Sequence, residues 1–469
     1  MEGEADLSSP TPSWVVIEPG IFCKDLASYR GNGVVFYFGS GEKDASAVEV
    51  SAEAHASNDE LVRVSLDLRA PPAMSRLSVH LAKPRRMYSF DSVVAAQRNT
   101  VLLSLEIDFK GIADSVSYAI DYFICRASPS GPSLSLLPRF YPTQREYDAA
   151  PDDSWMKSRH LRMRDAASIG LLLTGPQGFV VAQLNNYPPN VDHDADAPLA
   201  AEIFRFRSDS GEWEAKIATA RGGKAKMGAI SFWLSHQVLP FTSYLCWMDY
   251  HRGIILCDVN HENPDLQYIS LPVDPVPRSC AEDWWTACPR ASRTVCVTNY
   301  DNKMKFVSVV RSDGVLCGAS KPGTSFSIAI WTLWQGYDEM EWVKESVIES
   351  DEIWAMEGYN NQPLPHIAPQ FPLLSMENPH IIHFVLRERD CFDDKTMIWF
   401  VTVDIVGKKV LSYKDIKAIN SGEPAEETYS VFFNTPFFPI EFPKYLKKPS
   451  SSNIIEAYAK SCLQPKRLV

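Results

Sequence analysis

The chain has 469 residues, 45% of them hydrophobic, which is enough to bury a large core. Its 46 lysines and arginines against 58 aspartates and glutamates give a net charge of −12, and an acidic surface repels phosphate backbones and argues against nucleic-acid binding. No stretch approaches the ~18 uninterrupted apolar residues of a membrane span, and the acidic N-terminus lacks the basic and apolar parts of a secretory signal.

The first hundred residues predict a β-rich segment behind a polar leader. The leader covers 1–13, and its composition is typical of disorder. Apolar runs then predict strands, and 44–59 is interpreted as a polar insertion between two of them. The predicted strands are 14–17, 34–38, 61–68 and 77–81.

The middle of the chain alternates short apolar runs with turn signals. Two longer polar segments interrupt it: 145–165, a helical or loop insertion, and 185–198, an acidic loop. Runs rich in β-branched and aromatic residues and bounded by Gly, Pro, Asn or Asp are typical of antiparallel strands. The predicted strands are 101–107, 118–126, 134–137, 169–173, 179–184, 203–207 and 213–217.

Residues 244–271 show the alternation of strands and turns most clearly, because three apolar runs there are separated by tight polar turns. With 229–235 ahead of them, these runs predict one four-stranded meander of about the size of a propeller blade. Similar runs continue to the end of the patterned region. They predict strands at 294–298, 306–311, 327–334, 342–348, 381–386, 397–404 and 410–413.

A weak repeat connects these units. The turn at Trp213 and the start of the strand that follows it resemble those at Trp342. Leu136-Leu137-Pro138 likewise resembles Ser270-Leu271-Pro272. These strand endings recur at intervals of roughly 55–75 residues, and a regular spacing of this kind is typical of stacked repeats. The sequence therefore predicts an all-β fold, a β-propeller of about six blades built from four-stranded antiparallel meanders, with Trp213, Trp247 and Trp342 largely buried.

The predicted organisation is a leader at 1–13, an N-terminal β-rich segment at 14–110, propeller blades at 111–420 and a tail at 421–469. The N-terminal segment either supplies a blade or lies beside the ring. The alternative architecture is a pair of β-rich domains joined by the proline-rich stretch 273–278.

Several segments resemble a known family. They are DYFICRA at 121–127, PSLSLLP at 132–138, FVVAQL at 179–184, SGEW at 210–213, and WMDYHRGI at 247–254 with Leu271-Pro272. Together they resemble plant proteins that carry domain of unknown function 1618, a group abundant in grasses, with the named domain starting at about 247. The resemblance covers about 14–413. Because that family has no established catalytic motif, the resemblance implies no catalytic residue.

The units are also similar to F-box-associated propeller domains, which end strands with a similar Leu-Pro. The F-box itself is absent, since residues 1–40 have a strand and loop pattern rather than that of a helical bundle. The resemblance therefore implies an adaptor or substrate-recognition subunit in protein turnover only as an alternative function.

The ten cysteines are scattered, and several lie inside apolar runs. Zinc sites usually contain closely spaced pairs, whereas Cys280, Cys288, Cys296 and Cys317 are far apart. We therefore predict reduced thiols, no metal and a cytoplasmic or nuclear location. The sparse basic residues from Lys444 onward are a weak candidate for a nuclear signal.

The remaining candidate sites match known functional motifs only weakly. His380 and His383 lie three apart, so on a strand they point to opposite faces. The basic, glycine-rich stretch 221–228 lacks the order of a phosphate-binding loop, and no G-x-S-x-G is present. Asp249 and His251 lie in one turn, but an aspartate and a histidine in the same turn are common and do not indicate a catalytic site. The acidic run 339–352 is interpreted as a solvated face, with docking of a basic partner as the alternative.

These patterns predict a non-enzymatic protein-interaction scaffold that binds through loops on one propeller face, without a cofactor, a nucleic-acid partner or a membrane, and monomeric by default. The two polar insertions supply the candidate protein-binding residues, because aromatic and arginine side chains are enriched at binding hot spots. An enzyme whose catalytic groups converge from separate blades is the remaining hypothesis. The candidate residues are Trp155, Arg159, Arg162, Tyr187, Asp192 and Asp194.

Overall fold

The structure of the chain is a computed structural model. It describes residues 12–23, 48–81, 91–107, 119–139, 166–185, 200–221, 233–273, 289–298, 302–316, 320–336, 340–389, 396–416 and 437–446. Within these ranges the fold is all-β, with strands arranged in four sheets.

The first sheet contains nine strands. Its pattern of burial follows the alternation in the sequence: in Leu61–Leu68 the side chains of Val62, Val64, Leu66 and Leu68 share one face and are buried. The strands are β1 (Val15–Cys23), β2 (Val48–His55), β3 (Leu61–Leu68), β4 (Ser75–Leu81), β5 (Ser92–Gln97), β6 (Thr100–Ile107), β7 (Ala119–Arg126), β8 (Ser133–Leu136) and β25 (Phe438–Ile440).

The second sheet contains eight strands in the order β13-β14-β15-β16-β12-β11-β10-β9. All neighbours are antiparallel except β12 and β16, which pair in parallel through Thr219–Arg221 and Asp265–Gln267. The strands are β9 (Ile169–Leu173), β10 (Phe179–Asn185), β11 (Ala200–Arg207), β12 (Glu212–Arg221), β13 (Gln237–Phe241), β14 (Tyr244–Asp249), β15 (Gly253–Cys257) and β16 (Asp265–Ser270).

The third and fourth sheets are four-stranded antiparallel meanders in simple chain order. The third has β17 (Arg293–Thr298), β18 (Lys303–Arg311), β19 (Phe326–Gln335) and β20 (Met340–Glu349), and the fourth has β21 (Gln370–Leu374), β22 (Ile381–Arg389), β23 (Thr396–Asp404) and β24 (Lys409–Ile416). Two short α-helices, α1 (Ser350–Trp354) and α2 (Phe442–Leu446), and two 3₁₀ turns, Ala166–Ser168 and Pro289–Ala291, complete the described elements.

The strands group into six four-stranded units. Unit I has β2, β3, β4 and β1, with β25 on the other side of β1; units II to VI are β5–β8, β9–β12, β13–β16, β17–β20 and β21–β24. Unit I differs from the others in its connections, because β1 pairs with β4 in parallel and with β25 in antiparallel fashion. The N-terminal strands and the last described strand thus complete one unit.

Apolar clusters lie between successive units. Val15, Val62 and Phe123 belong to the cluster of units I and II, and four further clusters join II to III, III to IV, IV to V, and V to VI. The last of these also includes Val16 of β1 and Trp14 directly before it, so unit VI packs against unit I. Strands such as β14 are buried on both faces, which explains their continuous apolar runs.

Two tryptophans hold neighbouring units together, at the positions marked by the sequence repeat. The indole Nε1 of Trp213 donates to the carbonyl oxygen of Pro138 at 2.5 Å, and Nε1 of Trp342 donates to that of Ser270 at 3.0 Å. Trp247 is fully buried, as predicted, but Trp213 and Trp342 are half-buried. Burial of these two is less complete than that of Trp247, because each lies near the start of an outer strand and covers the preceding unit.

Three strand predictions require comment. Of the strand predicted at 229–235, residues 229–232 lie outside the described residues and 233–235 have no strand structure; the first described strand of unit IV is β13. The polar insertion predicted at 44–59 contains β2, which pairs with β3 over eight residues. The strand predicted at 34–38 and residues 1–11 of the predicted leader lie outside the described residues.

The predicted tail contributes described structure at 437–446, where β25 and α2 pack against β1. The division of the chain at 110 and 420 stays a prediction.

Candidate functional site

The six predicted protein-binding residues, Trp155, Arg159, Arg162, Tyr187, Asp192 and Asp194, lie outside the described residues. Their segments nevertheless connect described strands. Residues 140–165 lead toward β9, and residues 186–199 join β10 to β11. The ends of these described strands therefore show where the two connections enter and leave the sheet.

The strand directions in the eight-stranded sheet place those ends on one edge. Since neighbours alternate except at the parallel pair β12 and β16, the starts of β9, β11, β13 and β15 lie beside the ends of β10, β12, β14 and β16. This long-connection edge is therefore where 140–165, 186–199 and 222–232 attach, together with the turn 250–252 and the chain leaving β16.

The opposite edge carries short turns, at 174–178, 208–211, 242–243 and 258–264. We call it the short-turn edge. Gly211 and Thr242 have positive φ values of 71° and 53°, as tight turns require. The two edges of this sheet thus differ in the length of chain that they carry.

The turn Tyr250-His251-Arg252 lies on the long-connection edge and is closely packed. The backbone N–H of His251 donates to Oδ1 of Asp249 at 2.9 Å, and the N–H of Arg252 donates to the Asp249 carbonyl at 2.9 Å. Glycine is required at position 253, because a Cβ there would collide with the carbonyl oxygen of Ile269. The sequence pattern at 249–253 thus specifies one turn conformation.

Tyr250 connects unit IV to unit V. Its buried hydroxyl donates to Oε1 of Gln237 at 2.7 Å and accepts from the N–H of Val295 at 3.1 Å. Its carbonyl accepts from Nη1 of Arg293 at 2.7 Å. The backbone N–H of Tyr250 donates to Nδ1 of His236 at 3.1 Å.

His236 is a neutral, buried imidazole. Burial lowers its pKa well below the usual value, and the nearby charges of Arg290 and His251 lower it further. Nδ1 accepts from Tyr250, so the ring proton is on Nε2. Although Oδ1 of Asp249 lies 3.7 Å from Nδ1, both atoms are acceptors, so the two residues do not form a hydrogen-bonded acid–base pair.

A cavity of about 670 Å³ runs along the inner strands β5, β13, β17, β21 and β25. Its end nearer the long-connection edge is lined by Gln237, Tyr250, Arg290 and Arg293. Leu239, Val295, Phe371 and Leu374 contribute apolar walls. Arg98, Glu377, Glu441 and Lys444 line the far end, where Nζ of Lys444 donates to Oε1 of Glu441 at 3.0 Å.

The charges of the cavity are distributed unevenly. Among its described lining residues, four side chains are cationic (Arg98, Arg290, Arg293 and Lys444) and two are anionic (Glu377 and Glu441). Both anions lie at the far end, so the Tyr250 end is lined by cations alone within the described residues.

His380 and His383 do not form a joint site. His380 is exposed in the turn before β22, whereas His383 is buried, and its Nδ1 is 2.9 Å from Oγ1 of Thr402. The His383 ring stacks on Phe400, and burial lowers its pKa to about 4. In the part of the chain that the structure describes, no three His, Cys, Asp or Glu side chains come together as a metal site.

The cysteines with described surroundings are buried and unpaired: Cys125, Cys246, Cys257 and Cys296. Burial raises the pKa of Cys125 and Cys257 to about 12 and that of Cys296 to about 11, so these thiols are protonated at neutral pH. Cys280, Cys288 and Cys317 lie outside the described residues.

Part of the acidic run 339–352 has structural partners. Oε2 of Glu345 accepts from Nζ of Lys305 at 2.6 Å, and Oε1 of Glu345 accepts from the hydroxyl of Thr332. Burial raises the pKa of Glu345, but the hydrogen bonds from Lys305 and Thr332 outweigh it, so the net pKa is lowered. Glu349 and Glu352 form the capping box of α1. Of the glycine-rich stretch 221–228, only Arg221 is described.

Sequence reasoning singled out the turn at 249–253 but missed the cavity. No signal connects Arg98, Phe371 and Lys444 along the chain, since they meet only through the arrangement of the inner strands. Among the described residues, no helix is long and apolar enough to cross a membrane.

Residues 247–383 match the model of a family described as protein of unknown function, DUF1618. No curated protein matches the chain. The matched segment starts in β14 and ends in β22, so it includes the Tyr250 turn, Arg290, Arg293 and all of unit V. Residues 247–383 of this chain are therefore similar to the DUF1618 family of proteins of unknown function.

Proposed function

We propose that the chain is a six-bladed propeller that works as a non-catalytic scaffold and binds a protein partner at the long-connection edge. In this proposal the six units are the blades, and the cavity along the inner strands is the centre of the ring. The proposal extends to a location in the cytoplasm or nucleus, with which the unpaired described thiols are compatible.

The packing between units supports the ring. Every pair of successive units shares an apolar cluster, and Trp14 and Val16 of the first unit lie in the cluster of the last. In a propeller each blade packs against two neighbours, which leaves only short, protected sheet edges. The pairing of β25 with β1 fits closure of such a ring by both ends of the chain.

The observation that carries the binding proposal is the difference between the two edges of the eight-stranded sheet. Strands joined by short turns on one edge form a rigid support. At the other edge attach three long connections between strands, of 14 residues (186–199), 15 residues (222–236) and 32 residues (137–168). Long connections on a rigid scaffold are where binding residues concentrate, since loops vary at little cost in stability. The proposed contact residues belong to two of these connections.

The experiment compares two triple variants with a matched control. Trp155, Arg159 and Arg162 are changed to alanine in one variant, and Tyr187, Asp192 and Asp194 in the other. The control changes Arg207 and Asp209, an exposed ion pair 2.7 Å apart on the short-turn edge, to alanine. Partners retained by each tagged protein are measured by quantitative mass spectrometry, together with its melting temperature.

We expect at least one triple variant to lose a partner that the control retains, with the melting temperature unchanged. Retention of every partner by both triple variants would contradict the proposal, as would loss of the same partner by the control. Ubiquitin-ligase subunits among the lost partners would identify the scaffold as an adaptor in protein turnover.

A further inference from the structure

Gln237 is a buried amide on the wall of the cavity, and its nitrogen has no partner. The residue is 5% exposed and occupies the first position of β13. The Tyr250 hydroxyl accepts the N–H of Val295, so its own proton is donated to Gln237, and the atom that receives it is Oε1. Nε2 is the other end of this carboxamide, and in the described part of the chain it has no hydrogen-bond partner. Buried polar groups are generally hydrogen-bonded, so these two N–H donors are available to a ligand in the cavity.

Apolar side chains surround this amide. Leu239 is two residues after Gln237 and therefore lies on the same face of β13. Leu239 and Val295 both line the cavity and pack in the apolar cluster of units IV and V. Phe371 and Leu374 add apolar surface from unit VI. A ligand that reaches the amide is thus expected to have an apolar body.

Phe371 has a backbone conformation that sets this part of the wall apart. Its φ is 52°, and the pairing of β21 with β22 is irregular between Gln370 and Leu373. A positive φ is rare for a bulky residue, and residues held in such conformations cluster at ligand-binding and active sites. The strand therefore departs from regular geometry at a residue that lines the cavity.

Several charged side chains of the lining already have partners. Arg293 donates to a backbone carbonyl at 2.7 Å, and Lys444 donates to Glu441 at 3.0 Å. Glu377 accepts from the hydroxyl of Ser13. A charged ligand would compete with these contacts, whereas an uncharged acceptor at the free amide has no such competitor.

We propose that this cavity binds an uncharged organic molecule, with a carbonyl oxygen or similar acceptor at Nε2 of Gln237 and an apolar body against Leu239, Val295 and Phe371. The cavity volume of about 670 Å³ lies within the range of about 300–1,000 Å³ that small-molecule sites occupy. The site does not include the proposed protein-binding connections, so either proposal can fail alone.

The first test uses three probes that share two phenyl rings: benzophenone, diphenylmethane and diphenylacetate. The first has a carbonyl between the rings, the second has no polar group, and the third has a carboxylate. Binding of each probe to the full chain is measured by equilibrium dialysis at neutral pH. We expect saturable binding of benzophenone, about fivefold or more tighter than that of either other probe, because only benzophenone offers the amide an uncharged acceptor.

Three results of this test would overturn the proposal. They are an absence of saturable benzophenone binding, an equal affinity for diphenylmethane, and an equal or higher affinity for diphenylacetate. The second of these would show that the amide donors do not take part, and the third that the site selects an anion.

The second test locates the site in the unsubstituted chain. Under ultraviolet light the ketone of benzophenone takes a hydrogen atom from a nearby C–H group, and the two carbon radicals then join in a new C–C bond. Peptide mass spectrometry identifies where the probe is attached. We expect adducts on peptides that contain Leu239, Val295 or Met376, which line the cavity, and we expect an excess of diphenylmethane to reduce them. Adducts that are confined to residues outside the cavity lining would contradict the proposed location.

The third test removes the amide donors. Gln237→Glu keeps an oxygen for the Tyr250 hydroxyl and replaces Nε2 with a second oxygen, and Gln362→Glu makes the same change at an exposed position outside the cavity lining. We expect Gln237→Glu to weaken benzophenone binding about fivefold or more and to leave diphenylmethane binding unchanged, whereas Gln362→Glu changes neither. Melting temperatures show whether each variant is folded. Benzophenone affinity within about twofold of the unsubstituted chain in folded Gln237→Glu would rule out this amide as the contact, and if that variant does not fold, the adduct positions decide.

Discussion

Single side chains in this fold differ widely in what they contribute, and the tryptophans illustrate the range. Trp247 is fully buried, and its Nε1 donates to the carbonyl of Ser168 at 2.7 Å. Trp213 is half-buried and covers the preceding unit. Both were identified from the sequence as anchors, yet hydropathy alone does not distinguish a core position from the start of an outer strand.

We expect Trp247→Ala to lower the free energy of unfolding by about 3–5 kcal/mol, since it empties a closely packed site and leaves a buried carbonyl without its donor. Trp213→Ala removes a half-exposed ring and is expected to cost less. Urea denaturation followed by far-ultraviolet circular dichroism measures both. Equal losses for the two variants would contradict the distinction.

His383 makes stability depend on pH. Its pKa is about 4 in the folded chain and about 6.5 in an unfolded one, so the unfolded state binds the proton more readily. Stability from this group is complete above about pH 6.5 and falls as the pH drops toward 4. Between pH 7 and pH 5 we expect a loss of roughly 2 kcal/mol.

Denaturation curves of the unsubstituted chain and of His383→Gln at both pH values isolate this contribution. His236 and other groups titrate in both proteins, so their effects cancel in the difference. A loss of stability between pH 7 and pH 5 that is the same in both proteins would show that His383 does not titrate in this way.

At the level of elements, the outer and middle strands could be predicted from the sequence, whereas several inner strands could not. β13, β21 and β25 contain Pro240, Pro372 and Pro439, and a proline argues against a central strand because it cannot donate to the ladder. β13 and β21 pair with one neighbour only, so a missing N–H is tolerated there. β2 was missed for another reason: its alternating alanine and glutamate residues resemble a polar loop.

One arginine joins the third and fourth units across the short-turn edge. Arg205 of β11 is fully buried, and its Nη1 donates to the carbonyls of Val259 and His261 at 2.6 and 2.7 Å. Its Nε donates to Oε1 of Glu214 at 2.7 Å. The side chain thereby holds the turn 258–264 against β11 and β12.

Arg205→Lys should therefore destabilise the chain by about 1–3 kcal/mol, because an ammonium group cannot reproduce the fork of donors and leaves a buried carbonyl unpaired. Lys216→Ala removes surface ion pairs with Glu262 and Glu214 and is expected to destabilise the chain less than Arg205→Lys does. Thermal denaturation compares the two. A lysine variant as stable as the unsubstituted chain would show that the guanidinium geometry is dispensable.

At the level of the whole molecule, the decisive contacts connect distant parts of the chain. The all-β class could be predicted from the sequence, because short apolar runs bounded by turn signals recur along the chain. The cavity could not be predicted, because Trp14, Arg98, Arg290 and Lys444 come to line one cavity only after the inner strands assemble. Neither spacing nor composition contains that information.

The contact between β25 and β1 is expected to be energetically important. Phe442, at the start of α2, is fully buried beside these strands, so Phe442→Ala should cost about 3–5 kcal/mol. The amides of Val15–Ile17, which pair with 438–440, should then exchange with deuterium faster. Lys444→Ala, at an exposed position of the same helix, is the control for both measurements. Unchanged exchange in β1 of the Phe442 variant would exclude this coupling.

The order in which strands leave the ribosome gives the β1–β25 pair a further consequence. β1 is made first among the described strands and β25 last, so one side of β1 lacks its native partner while the other five units are being synthesised. An exposed strand edge invites pairing with other chains, particularly in a nascent protein. Unit I is therefore expected to gain its complete set of strands only after residues 438–440 have been synthesised.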